Sequence, residues 1–176
     1  NLLTGNSSSS DAMEQELKLL EKDLLASAET LQRARHQIAK ALESEIKTEL
    51  CDLYMDKADF KVTFTKGKFN RDGNEQVEFY ISTNPGESFK PLVKVASGGE
   101  LSRLMLAIKS AFARKEDKTS IVFDEVDTGV SGRVAQAIAQ KIHKIGSHGQ
   151  VLAISHLPQV IAIADYQFFI SKESDN

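Results

Sequence analysis

The sequence predicts an α/β fold: a long N-terminal helix, an antiparallel β-hairpin, then helices alternating with short parallel strands. Three observations carry this. Leu17, Leu24, Leu31 and Ile38 recur every seven positions near the start of the chain. From Asp59 the period falls to two, with Phe60, Val62 and Phe64 alternating against Lys61, Thr63 and Thr65. Beyond Gly99, helical stripes alternate with the short apolar runs Ile121-Val122-Phe123 and Val151-Leu152-Ala153-Ile154. A seven-residue repeat is the seam of a two-stranded coiled coil, and a period of two marks a strand with one packed face. Unbroken apolar runs between helices fit buried parallel strands.

The elements follow in order. Residues 1–12 are small and polar, with Ser7-Ser8-Ser9-Ser10 after a Gly5-Asn6 step, and read as a flexible linker. Asp11 suits an N-cap, with Glu14 as its reciprocal partner. A helix is expected over 13–55. Leu20 and Ala34 join its seam, and after Ile38 the apolar set Leu42, Ile46, Leu50 and Leu53 moves toward the 3.6-residue period of a helix lying on a globular body. At about 45 residues this helix spans roughly 65 Å, more than a small domain covers, so its seam needs a partner elsewhere. Cys51, the single cysteine, reads as a small, partly buried apolar residue and points to a reducing compartment.

Val77, Phe79 and Ile81 form the second alternating strand, the turn lies within Gly67 to Asn74 around Asp72-Gly73, and Asn84-Pro85-Gly86 ends the pattern. The remaining expectations are a helix over 99–114, a strand over 120–123, a helix over 132–145, a strand over 150–154, a helix over 158–164 and a strand over 166–171. This order favours parallel strands joined by helical crossovers.

At 176 residues the chain is the size of one ordinary domain. Its 41% hydrophobic and 27% charged content fits a soluble globular protein with an exposed helical part. No apolar run approaches the roughly 18 residues of a membrane span. A net charge of −3 gives no general attraction to nucleic acid, so DNA contact would need a local patch or a partner. Lys66, Lys68, Arg71, Lys90 and Lys94 are scattered among acids and read as solvated surface. The chain opens on Asn1 rather than Met, as expected of a piece of a longer polypeptide.

The candidate chemistry lies in the second half. Ser97-Gly98-Gly99-Glu100 precedes a helical stripe, with Arg103 one turn in. Paired glycines before a helix leave backbone N–H groups uncovered for phosphate, and Ser97 adds a hydroxyl; taken alone, the motif is equally an ordinary helix cap. Asp124 and Glu125 end the strand Ile121 to Phe123, where open α/β sheets bind ligands. Asp124 suits Mg²⁺, directly or through water, and Glu125 suits activation of an attacking water; the plain alternative is a solvated strand end. Asp127-Thr128-Gly129 follows as a tight loop. His156, just past Ile154, is placed to sense a terminal phosphate. His36, His143 and His148 read as ordinary surface residues, and the histidines form no zinc pattern with Cys51. No G-x-x-x-x-G-K-[ST] loop occurs, so this half site lacks the element that cradles the α- and β-phosphates.

Residues 94–173 contain Lys94-Val95-Ala96-Ser97-Gly98-Gly99-Glu100-Leu101-Ser102-Arg103, Phe123-Asp124-Glu125-Val126-Asp127-Thr128-Gly129-Val130-Ser131-Gly132 and Ser155-His156-Leu157-Pro158-Gln159-Val160. With these motifs the chain, from about residue 40 onward, resembles the C-terminal head segment of the RecN family of bacterial DNA repair proteins, within the SMC-like and ABC ATPase group. The resemblance implies that 56–176 is the C-terminal lobe of an ABC-type P-loop NTPase head. Ser97 to Glu100 would be the signature motif contacting ATP on an opposite head, with Arg103 supporting it. Asp124 would support Mg²⁺, Glu125 would be the general base, Asp127 would lie in the D-loop, and His156 would be the switch histidine. The cofactors implied are ATP and Mg²⁺. The partners implied are the N-terminal head segment of the same polypeptide, a second head in a homodimer, and DNA, with no membrane. The implied setting is cytoplasmic and nucleoid-associated, and the role is double-strand break repair and recombination. The isolated chain is expected to be inactive without its phosphate loop. Two alternatives stand beside this: a head segment of another SMC-like ATPase, and a non-catalytic assembly module. A transporter ATPase has no need of the long coiled-coil lead-in.

Overall fold

A computed structural model describes residues 4–95, 99–113, 120–124, 126–130 and 132–171. The chain divides into two units, one made of residues 1–41 and 62–78, the other of 42–61 and 79–176. Helix α1 runs over Thr4–Asp52, β1 over Asp59–Asn70 and β2 over Gly73–Ser82.

In the first unit, α1 is already helical at Thr4, so over residues 4–12 the linker expected over 1–12 and the Asp11 cap give way to helix, while residues 1–3 lie outside the described residues. Serine costs only a few tenths of a kcal/mol per residue in a helix, and extending an existing helix is far easier than starting one. Leu17, Leu20 and Leu24 are 57, 60 and 47% exposed, an unpartnered apolar stripe as the heptad pattern requires. The stripe then meets the hairpin. The strands run closer to the turn than expected, leaving only Arg71 and Asp72 between them. Asp72 N–H donates to Asn70 Oδ1 at 2.7 Å, and Gly73 takes a φ of 98°. A Cβ at Gly73 would sit 2.9 Å from Leu31 Cδ2, the mobile end of an exposed side chain, so it is the positive φ that calls for glycine. Gln32 Nε2 donates to Asn74 Oδ1 at 2.7 Å, and the His36 ring stacks on Phe64 at 3.9 Å with its Nε2 3.3 Å from Glu75 Oε1. Leu31 thus lies beside the hairpin turn while staying 37% exposed, and His36 is a half-exposed surface residue whose ring rests on Phe64.

The second unit holds the core. Ile46, Leu50 and Leu53 are fully buried, as the shift toward a 3.6-residue period predicts, but Cys51 is exposed rather than partly buried. α1 stops in a Schellman arrangement: Met55 N–H donates to Leu50 O at 2.9 Å and Tyr54 N–H to Cys51 O at 3.0 Å. Tyr54 occupies the left-handed position at φ 59°, where glycine is usual. Phe60 packs against Phe79 with ring centroids 5.5 Å apart. A two-residue strand β3, Lys90–Pro91, joins antiparallel to β2 through Tyr80↔Pro91 and Ile81↔Lys90, giving the order β1-β2-β3.

Beyond it lie α2 (Gly99–Ala113), β4 (Ser120–Asp124), α3 (Gly132–Gly146), β5 (Gln150–Ile154) and a short α4 (Pro158–Ile161). β4 and β5 pair in parallel, from Ser120↔Gln150 to Asp124↔Ile154. α3 is the hub. It packs on α2, α4 and β5 and buries Ala135, Ile138, Ala139, Ile142 and Ile145 on one face. The two strands are parallel as expected but not fully buried. Phe123 is enclosed, whereas Val122, Leu152 and Ile154 are 64, 49 and 59% exposed. No second layer covers that face among the described residues. The strand expected over 166–171 is absent for a related reason. Tyr166, Phe168, Phe169 and Ile170 are each at least 86% exposed, and strand geometry needs a hydrogen-bonded neighbour that this segment lacks. α4 ends before the expected 164.

α3 also carries a buried ion triad. Lys141 is 7% exposed, and its Nζ donates to Glu49 and, at 2.6 Å, to Asp52 Oδ2 in the last turns of α1. Burial is the largest single influence on this ammonium and acts to lower its pKa. The hydrogen bonds it donates to Asp52 and Glu49, and the charges of those carboxylates, outweigh it and hold the pKa above 10.5.

Two stability outcomes follow. Tyr54→Gly should stabilise the chain by about 1 kcal/mol, because the left-handed conformation costs an L-residue about 1–2 kcal/mol; an unchanged or lower urea midpoint would contradict the strain. Lys141→Met should destabilise by roughly 3 kcal/mol, with Glu49→Leu added to it recovering most of the loss. On the alkaline side the wild-type triad contribution is full up to pH 10.5 and declines as pH rises through the higher folded-state value, so the gap in urea midpoint between wild type and Lys141→Met should hold from neutral pH to pH 10.5 and narrow above it.

Candidate functional site

Two parallel strands joined through a helix end at the same edge, and the candidate residues sit there. Asp124 closes β4, with its side chain exposed, directly opposite Ile154, the last residue of β5. After β4 the chain turns inward. Val126 is 3% exposed and Asp127 1%, and Val130 N–H donates to Asp127 O at 3.3 Å to close the turn. Gly129 takes a φ of 71° at its exit.

The Asp127 carboxylate is held from the neighbouring strand end. Ser155 Oγ–H donates to Asp127 Oδ2, and the same Oγ accepts the Leu157 N–H at 3.1 Å. Asp127 Oδ1 is buried and, among the described residues, accepts no hydrogen bond. The His156 ring lies beside it, with Nδ1 4.0 Å from Asp127 Oδ1. His156 itself is open, its side chain 76% exposed. Beneath this corner Val160 of α4 is 4% exposed and anchors the segment after the histidine.

The structure thus brings Asp127 and His156 together, and places Asp124 on the same strand edge. The Asp127 carboxylate is turned into its own chain. Gly99 opens α2, Glu100 is an exposed acid in its first turn, and Arg103 is half-buried on the same helix, which reaches the strands through α3. Ser97, Gly98 and Glu125 lie outside the described residues. Among the described residues no three His, Cys, Asp or Glu side chains form a metal cage. Of the other histidines, His143 is exposed, and His148 is exposed with Nδ1 at 3.0 Å from Lys144 O. Ser155 is the residue that sequence reasoning passed over. Its signal is a hydroxyl side chain placed directly between a parallel strand end and a candidate histidine.

The fold is that of SMC head domains. A structure from work on ATP-driven dimerisation and DNA-stimulated activation of SMC ATPases aligns with a TM-score of 0.52 at 17% identity, over 80% of this chain and 83% of that one. The Smc head with coiled coil and joint from Pyrococcus yayanosii aligns with a TM-score of 0.58 at 18% identity, over 76% of this chain and 25% of that one. No family model matches the sequence. Among curated proteins the chain is 54% identical to the DNA repair protein RecN of Halalkalibacterium halodurans over 92% of its length. It is 49% identical to RecN of Bacillus subtilis over 92%, and 39% identical to that of Vibrio cholerae over 93%. It spans 29 to 31% of the length of these relatives. Over at least 92% of its length, the chain therefore belongs with the C-terminal segment of the RecN family of DNA repair proteins.

Proposed function

We propose that this chain is the part of an SMC-like ATPase head that places Mg²⁺, activates water and senses the terminal phosphate, and that the complete protein acts in double-strand break repair and recombination. The observation that carries the reading is the shared strand edge, where Asp124 closes β4 and the Asp127 and His156 side chains lie 4.0 Å apart just beyond β4 and β5. Asp124 presents an exposed carboxylate, a single hard oxygen donor. That suits Mg²⁺, which keeps several waters and takes its remaining ligands from nucleotide phosphates. When bound, the ion neutralises charge developing on the phosphates. Glu125, next in sequence, takes the proton of the attacking water, and His156 faces the terminal phosphate from the neighbouring strand end. Ser97, Gly98, Gly99 and Glu100, supported by Arg103, contact ATP held by a second head. Asp127 fixes the loop between these parts.

The uncovered face of β4 and β5 supports one partner in particular. Val122 and Leu152 are paired in register, Ile154 lies two residues on, and all three face outward. Together with the exposed run Tyr166 to Ile170, they suit burial by the N-terminal head segment of the same polypeptide, which supplies the phosphate-cradling loop. The open stripe of Leu17, Leu20 and Leu24 suits the returning strand of a coiled coil. None of the described helices is long and apolar enough to cross a membrane. We place the protein in the cytoplasm, on nucleoid DNA. The isolated chain does not turn over ATP.

Two measurements test this. In the complete protein, Glu125→Gln should lower steady-state ATP turnover by about a hundredfold or more while ATP-dependent dimerisation, read by light scattering, persists; unchanged turnover would remove Glu125 as the base. Adding the separately expressed N-terminal head segment to this chain should restore turnover, and Leu152→Asp should block that rescue while moving the chain's own stability by no more than about 0.5 kcal/mol. Full rescue of Leu152→Asp would show that the exposed sheet face is not the docking surface.

A further inference from the structure

We infer that Ser155 and Asp127 form a positioning clasp that sets the ring of His156. This deepens the reading of His156 as the phosphate-facing residue and rests on it.

Three observations join at one point. Ser155 Oγ–H donates to Asp127 Oδ2, tying the segment after β5 to the loop after β4. The same oxygen accepts the Leu157 N–H at 3.1 Å, so the backbone on the far side of His156 is held by the same hydroxyl. His156 is thereby bracketed, with the residue before it and the residue after it bonded to one oxygen. The third observation is Asp127 Oδ1, buried without a hydrogen-bond donor among the described residues, with His156 Nδ1 4.0 Å away.

A buried carboxylate oxygen without a donor is costly, and the ring nitrogen is the group placed to relieve it. A small rotation of this exposed ring lets Nδ1–H donate to Asp127 Oδ1. That contact divides the two ring nitrogens between two tasks. Nδ1 is committed to the protein and Nε2 is left to face the nucleotide, where it accepts from water or, in the doubly protonated ring, donates to a phosphate oxygen. Asp127 and Ser155 touch neither nucleotide nor water in this arrangement; they act through His156. The clasp also sets the requirement on the residue at 155. It must donate to Asp127 and accept from Leu157 through one atom, which serine and threonine hydroxyls do and alanine does not.

The test has two arms. In this 176-residue chain, long-range ¹⁵N–¹H correlation spectra of the imidazole rings, assigned with His156→Gln, should show the proton of the neutral His156 ring on Nδ1. Ser155→Ala and Asp127→Asn should move that signature toward a mixed ring, and Ser155→Thr should retain it. A His156 signature indifferent to Ser155→Ala overturns the clasp. In the complete protein, Ser155→Ala should lower kcat by about ten- to a hundredfold with KM within about twofold, and Ser155→Thr should recover most of the loss. A matching fall for Ser155→Ala and Ser155→Thr overturns the positioning role, since threonine keeps the hydroxyl. If His156→Ala leaves turnover intact, the phosphate-facing reading fails, while the ring spectra still decide whether the clasp exists.

Discussion

Parallel strands cannot be joined by a tight turn. The chain leaving the end of β4 has to travel back to the start of β5, and α3 makes that journey. Both strands then finish at one edge, and whatever follows each of them is forced into the same neighbourhood. Asp127 lies three residues past Asp124, and Ser155 and His156 directly follow Ile154, so residues separated by 28 positions share a hydrogen bond. The crossover also fixes which face is covered. α3 buries a continuous apolar stripe and takes one side of the strands with it, leaving Val122, Leu152 and Ile154 on the other. The meeting of candidate residues and the bare sheet face are thus two results of one connection.

α3 has a second attachment, of a different kind. Lys141 lies among apolar residues of that helix and answers to Glu49 and Asp52 at the close of α1. An ion triad of this type adds little net stability over a well-packed apolar substitute, but it permits very few arrangements. Leu50 and Leu53 tolerate a range of neighbours, whereas two carboxylates must find one ammonium. Next to it, Tyr54 accepts a left-handed backbone so that Met55 N–H can reach Leu50 O. The end of α1 is specified by polar geometry, and the turns just before it by burial of Leu42, Ile46 and Leu50.

Much of this was legible because it depends on local period. Leu42, Ile46, Leu50 and Leu53 announce a helix entering a core, Phe60 and Val62 a strand, and α3 its amphipathic face. The runs at 121–123 and 151–154 are strands in register, as their length and composition require. What the pattern could not reveal was supply of partners. A continuous apolar run says that a strand prefers burial, not that a covering layer is present, so β4 and β5 came out half bare and the segment Tyr166 to Ile170 did not form a strand. The same limit hid the contact of Leu31 and His36 with the hairpin, since a heptad position looks alike whether it meets a helix or a turn. Residue type and place at a strand end single out Asp124, Asp127 and His156 as candidates. Ser155 carries no such mark, because its hydrogen bond to Asp127 appears only when two distant strand ends are side by side.

The short strand β3 has a consequence for how copies of this chain meet. Pro91 has no backbone N–H, and the residues after it turn at once into a 3₁₀ helix, Leu92–Lys94. A strand arriving at that edge would find a gap in the ladder and then no ladder at all. The antiparallel sheet is closed to edge-to-edge growth on this side. β4 and β5 carry no proline and are bare on one face. Within the sheets, then, the apolar surface open to a second copy lies on the parallel pair, and solubility should respond to charges placed at Val122 or Leu152 far more than to changes around Lys90.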